Sequence, residues 1–238
     1  MNKVVKGSFG QKESSEQKSK RAITIAEVLL KMYPRRKTVL TFSNPWECLV
    51  AVQLSAQCTD KRVNIVTPEL FKKYPRIEDY VKAGWKKDCS VNTAGVREFE
   101  DAIHSTGFYH NKAKNILGAA KKVVEDFGGV LPKTMEELLT LPGVARKSAN
   151  VILFNAFGII SGVAVDTHVM RITKLLGLIT KDAFDNPVKI ERELMKLLPK
   201  KYWALFSLLI TEHGREICIA NRPRCETCKL NKICPGAN

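Results

Sequence analysis

Four cysteines close the chain with the spacing C-x6-C-x2-C-x5-C: Cys218, Cys225, Cys228 and Cys234, followed by Pro235. Four thiolates in so short a loop suit one tetrahedral zinc or one [4Fe–4S] cubane, and spacing alone does not choose between them. Disulfides are the competing use of such cysteines. The other three, Cys48, Cys58 and Cys89, leave an odd remainder that fits a reducing compartment.

Upstream, Leu141-Pro142-Gly143-Val144-Ala145 separates two helical patterns. Proline ends the first helix and glycine gives the backbone freedom that a tight hairpin needs. The next helix then starts with outward-pointing amides, a natural seat for a phosphate, although any helix–turn–helix connection can contain Pro-Gly. Lys147 lies in the opening turns of that helix, beside Arg146. As a surface lysine it would simply be solvated. The helix dipole and the neighbouring guanidinium both favour its neutral amine, the form that attacks an electrophilic carbon. Bringing a lysine from about 10.4 to near 7 costs roughly 4–5 kcal/mol. The dipole supplies at most about 2 kcal/mol, so partial burial of Lys147 is expected to supply the rest. Asp166 opens a further helix in Val165-Asp166-Thr167-His168. Either Asp166 or Thr167 could be no more than its N-cap. A carboxylate working with Lys147 could instead stabilise positive charge developing on a sugar as its base departs.

These residues need a scaffold, and almost everything from Ala22 onward has helical period. Ile23, Ile25, Val28, Leu29 and Met32 make an apolar stripe ended by Pro34, and Asn44-Pro45-Trp46-Glu47 is a helix start. Further helices are predicted over 60–73, 76–83, 97–105, 111–127, 134–139, 145–157, 166–176, 187–198 and 202–218. Strand alternation is scarce; Val163-Ala164-Val165 reads as a buried link. The fold class is therefore all-α. Residues 1–20 are polar, rich in Ser, Lys and Gln, and read as a disordered basic tail.

The chain of 238 residues carries a formal charge of +15, and the part beyond Arg21 alone holds +11. A body that basic meets a polyanion, nucleic acid first, although ribosomal and membrane-surface proteins share the signature. There is neither an uninterrupted apolar run long enough to span a membrane nor a signal-peptide core.

Leu141-Pro142-Gly143-Val144-Ala145-Arg146-Lys147-Ser148-Ala149-Asn150, Ala164-Val165-Asp166-Thr167-His168 and the four-cysteine loop together resemble the endonuclease III family. These are DNA glycosylase/AP lyases of the helix–hairpin–helix superfamily. Leu54-Ser55-Ala56-Gln57 and Gly107-Phe108-Tyr109 fit the same pattern, and the resemblance covers about residues 21–235. It implies two helical domains flanking a cleft: a six-helix domain over 38–159 with the hairpin, and a cluster domain of 21–37 plus 160–238. It makes Lys147 the nucleophile and Asp166 the catalytic carboxylate. The hairpin, with Leu141, Gly143 and Ala145, grips the lesion strand through its amides. Gln57 fills the space left by the extruded nucleotide, and Phe108 wedges into the opposite strand. The resemblance, not the spacing, selects one [4Fe–4S] cluster held by Cys218, Cys225, Cys228 and Cys234, with Arg222 and Arg224 facing DNA phosphates.

The activity implied is excision of oxidised pyrimidines with strand cleavage 3′ to the abasic site by β-elimination. The implied partner is double-stranded DNA with damaged pyrimidines or abasic sites, met by a monomer in the cytoplasm at the nucleoid. Lys147 favours this bifunctional class, since related glycosylases carry Ser or Tyr at that place. A non-catalytic helix–hairpin–helix DNA-binding module is the alternative, and loss of Lys147 or Asp166 would have favoured it; both are present. Ala145 and Ser148 stand where the family has mostly glycine and often threonine, and both are small enough to keep the turn. Phe108 replaces a more usual aliphatic wedge and is expected to alter opposite-base preference. The stretch Ala83–Glu98, with Cys89, is longer than the family pattern and is expected to be a surface loop.

Overall fold

The computed structural model describes residues 13–34 and 38–237. Among these the chain is all-α, and the only bridge is an isolated antiparallel one between Trp85 and Val91. The chain divides into two compact units, Thr38–Ile159 and Met1–Lys37 with Ile160–Asn238.

The central unit contains α2 (Pro45–Leu54), α3 (Asp60–Lys73), α4 (Ile77–Gly84), α5 (Thr93–Ile103), α6 (Tyr109–Phe127), α7 (Met135–Leu138) and α8 (Arg146–Phe157). That is seven helices among the described residues rather than six, because α7 is a single turn. Asn44 caps α2 by accepting from Glu47 N at 2.9 Å, and Glu47 Oε2 accepts from Ser43 N at 2.6 Å. Every residue of α2 from Cys48 to Leu54 is buried, the pattern of a helix enclosed on all sides. It packs on α3, α6 and α8, while α6 also covers α4 and α5. Burial pushes the Cys48 thiol up to about 12.

The other unit contains α1 (Ser15–Met32), α9 (Thr167–Leu175), α10 (Pro187–Leu197) and α11 (Lys200–Glu216), followed by the cysteine loop. α1 buries Ala22, Ile25, Ala26 and Leu29. The stripe is thus rotated from the expected one: two alanines, not Ile23 and Val28, are fully buried. Val163–Val165 is a buried, non-helical link.

Residues 15–20 are not a disordered tail but the first turns of α1; residues 1–12 lie outside the described residues. Polar composition concealed a capping box, in which Ser14 Oγ accepts from Gln17 N at 3.2 Å and Gln17 Oε1 from Ser14 N at 2.8 Å. Arg21 then forks onto Glu13 at 2.7 and 2.8 Å and also donates to Leu176 O at 2.6 Å. The Ala83–Glu98 stretch is mostly helical at its end: α5 begins at Thr93, four residues before the expected Arg97, because Asn92 Oδ1 accepts from Gly95 N at 3.1 Å. Only a short turn remains, closed by Lys86 N→Ser90 O at 2.8 Å and Asn92 N→Gly84 O at 2.9 Å.

Candidate active site and cysteine loop

The hairpin is built as the sequence requires at Gly143, whose φ is +73°. A Cβ there would also stand 2.7 Å from Asn115 Cβ, so both conformation and space demand glycine. Gln53, a buried residue of α2, donates from Nε2 to Pro142 O at 2.8 Å and ties the turn to the central helix. Leu141 and Val144 are buried anchors, whereas Gly143 and Ala145 are exposed. The Leu141 amide already donates to Leu138 O at 3.1 Å. Leu141 therefore anchors the hairpin from the core side, with its amide turned onto the preceding helical turn. Ala145 caps α8 without any side-chain hydrogen bond, so the capping residue itself leaves the first-turn amides uncovered.

Lys147 is the second residue of α8 and its side chain is exposed. The partial burial expected of it is absent, because the apolar face of α8 is carried by Ala149, Ile152 and Leu153 instead. Among the described residues Lys147 Nζ has no hydrogen-bond or ion-pair partner. Asp166 is held from two sides. It is the N-cap of α9, with Oδ1 accepting from Val169 N at 2.9 Å. The Thr211 hydroxyl lies 3.1 Å from Oδ2 and 2.8 Å from Ser207 O, so its one proton is shared between two acceptors. The capping role weighed for Asp166 is thus real, and it leaves Oδ2 with only that part-time partner.

Gln57 and Phe108 each sit exposed at the tip of a turn, and each adopts the left-handed region, with φ of 52° and 50°. Non-glycine residues rarely do so, and such strain gathers where function needs a side chain aimed. Phe108 is 63% exposed, a large apolar group left in solvent. Beneath them lies Lys112, only 5% exposed, whose ammonium donates to Leu54 O and Thr106 O, both at 2.8 Å. Burial holds its basicity below the usual lysine range, with the Cys58 thiol acting weakly in the opposite sense.

In the cysteine loop, Cys218, Cys225, Cys228 and Cys234 line one cavity of about 200 Å³. Leu230, fully buried, pins the loop, and Asn231 Nδ2 donates to Cys225 O at 2.7 Å. Burial pushes the Cys228 thiol up, the Leu230 backbone opposes that rise, and the neighbouring Cys218 and Cys225 sulfurs add to it. Arg171 donates from Nη2 to Cys218 O at 2.6 Å with Nη1 3.7 Å from its sulfur, and His213 Nε2 lies 3.6 Å from Cys228 Sγ. Among the described residues no three His, Cys, Asp or Glu are gathered tightly enough to hold one metal ion. A zinc ion would need its sulfurs about 2.3 Å from a single point. Arg222 and Arg224 are exposed on the stretch between Cys218 and Cys225.

The family profile of HhH-GPD superfamily base excision DNA repair proteins matches residues 50–200, which include the hairpin, Lys147 and Asp166. Endonuclease III of Synechocystis sp. is 52% identical over 221 residues, covering 92% of this chain and 94% of that protein. The chain belongs to the endonuclease III family. It is accordingly a base-excision DNA repair glycosylase and AP lyase. Two solved structures are similar, each with a TM-score of 0.81, 38% identity and coverage of 92% of this chain and 96% of the other. One is a non-covalent endonuclease III–DNA complex, the other a trapped endonuclease III–DNA covalent intermediate with an estranged adenine.

Sequence reasoning missed the residues that support these segments: Gln53 and Lys112 in the central unit, and Thr211, Arg171 and His213 in the other. Lys112 had a signal, since it falls on the buried stripe of α6 with Ala113, Ile116 and Ala120. Thr211 had none, because it meets Asp166 from a different helix.

Proposed function

We propose that this glycosylase and lyase acts on oxidised pyrimidines in double-stranded DNA, with Lys147 as nucleophile and Asp166 as the carboxylate that steadies the developing sugar cation. The observation that carries the reading is the pairing of a free, exposed Lys147 on the hairpin helix with a covalent DNA intermediate in a 38%-identical relative. A damaged base leaves the stack at a cost of a few kcal/mol, least for weakly stacked lesions. Gln57 and Phe108 enter the duplex from their exposed turns and offset that cost, as wedging side chains do. Outward amides at Gly143 and the start of α8, with Arg222, Arg224 and the general positive charge, hold the phosphates.

Bound DNA supplies the burial that Lys147 lacks in the free chain. The amine lone pair forms a bond to C1′ as the bond from C1′ to the base breaks, and the base leaves with the electron pair and takes up a proton. Asp166 stabilises the positive charge on the sugar meanwhile. Opening of the sugar ring gives a protonated Schiff base, which acidifies the C2′ proton. Loss of that proton breaks the C3′–O bond and releases the strand 3′ to the lesion.

The four thiols of the cysteine loop line one cavity, a donor set that fits one [4Fe–4S] cluster, and membership of the endonuclease III family favours that cluster over zinc. Cys218, Cys225, Cys228 and Cys234 would hold it, and when bound it ties the loop that presents Arg222 and Arg224. The loop's own residues position those guanidiniums through Leu230 and Asn231.

The test is single-turnover base release and strand scission on duplexes carrying thymine glycol, dihydrouracil, 8-oxoguanine or a G·T mismatch. Activity confined to the two oxidised or reduced pyrimidines supports the proposal. Preference for the purine lesion or the mismatch contradicts it. Iron and labile sulfide in the purified protein test the cluster separately, and zinc alone would overturn it.

A further inference from the structure

Lys112 is the one charged side chain of the α6 core face, and its ammonium bonds two backbone carbonyls from different parts of the central unit. Leu54 is the last residue of α2, and Gln57 follows three residues later. Thr106 ends the short 3-10 turn His104–Thr106, and Phe108 follows two residues later. Each carbonyl therefore lies two or three residues before an exposed, left-handed tip, at the base of its turn. Leu54 and Thr106 are themselves buried. An apolar residue in place of Lys112 would satisfy the stripe of α6 but would leave both carbonyls without a donor. A buried ammonium is costly in itself, so the site makes sense only through what it holds. The backbone of the same residue adds a third tie, with Lys112 N donating to Phe108 O at 3.1 Å.

We propose that Lys112 is a positioning residue for base extrusion: its ammonium clamps the Gln57 and Phe108 turns to each other, so that both side chains enter the duplex as one rigid device. The clamp rests on the reading of Gln57 and Phe108 as duplex-entering residues. It makes no contact with DNA. Removing it leaves the reacting groups in place but lets the two tips relax independently out of their left-handed backbone states. The loss falls on DNA whose bases must be forced apart, not on DNA already open.

The test compares the full-length protein with Lys112→Met, which keeps the stem and loses the donor, and with Lys112→Arg as the charge-retaining rescue. Base release is measured at thymine glycol in a paired duplex and at the same lesion in a preformed bubble. Amide hydrogen exchange is followed over residues 55–59 and 105–109 without DNA. The expected result for Lys112→Met is faster exchange in both turns and a loss of at least about tenfold on the duplex, with the bubble substrate little changed. Lys112→Arg recovers part of both. Equal loss on duplex and bubble, or unchanged exchange in either turn, overturns the clamp. If Lys112→Met does not fold, Lys112→Gln, which keeps one donor, is read by the same criteria. Wild-type protein inactive on every substrate would sink the repair reading instead, and the exchange of the two turns would still decide the clamp.

Discussion

Lys147 and Asp166 are built in opposite ways. The lysine stands exposed on a helix whose first turn has no side-chain cap, and nothing in the described protein holds its amine. The aspartate is fixed by an amide of its own helix and by the Thr211 hydroxyl of α11. A nucleophile has to move onto carbon and lose a proton, so any protein partner would have to be broken first. A carboxylate that stabilises charge works best when it is aimed before the charge appears. In the proposed roles, the hairpin supplies reach and the start of α9 supplies preorganisation.

That contrast predicts different costs for removing each group. Lys147→Gln should lower strand cleavage by at least about 10³-fold. Its thermal stability should stay within about 0.5 kcal/mol of wild type, as for an exposed site. A large loss of stability would show that Lys147 is held after all. Asp166→Asn and Asp166→Ala should both slow base release by about 10²–10³-fold. Only the alanine variant should lose about 1 kcal/mol in denaturant unfolding, because asparagine still caps α9. Equal stability of the two would deny the capping role.

Backbone support is the next test. Gly143→Ala should destabilise the central unit by about 1–3 kcal/mol, since φ of +73° and the 2.7 Å approach to Asn115 both oppose a Cβ. Weaker binding to abasic-site DNA should accompany it. In the other unit, Thr211→Val should slow base release less than about tenfold, because that hydroxyl is shared with Ser207 O. A larger effect would make Thr211 the main orienter of Asp166.

The smallest effect concerns Glu13. The Arg21 guanidinium holds its carboxyl below the usual range. A depressed folded value means that the contribution is present above the unfolded value of 4.5 and lost as pH falls through the folded one. Glu13→Gln should therefore lower stability slightly at neutral pH and converge with wild type in acid, as read by thermal melts across pH. Divergence in acid would contradict the sign.

The motifs with fixed spacing were legible before any coordinates. Pro142-Gly143, Asp166 at a helix start and Asn44-Pro45 each name a local backbone state, so one stretch of sequence contains the whole reason. The start of α1 was not legible, because Ser14 and Gln17 sit in a segment whose composition reads as unfolded and whose docking depends on Leu197 O accepting from Ser19. Nor was the exposure of Lys147, which reflects how α8 turns toward the α2 core rather than anything at position 147. Lys112 and Thr211 act on segments distant in sequence, and periodicity records only that a face is buried, not which carbonyl or carboxylate it meets.

The most direct test is borohydride trapping on a duplex containing thymine glycol, with peptide mapping of the adduct. The account predicts a covalent protein–DNA species whose modified peptide contains Lys147 and which Lys147→Gln abolishes. An adduct mapped to another amine, or none with either the lesion or an abasic site, would contradict it.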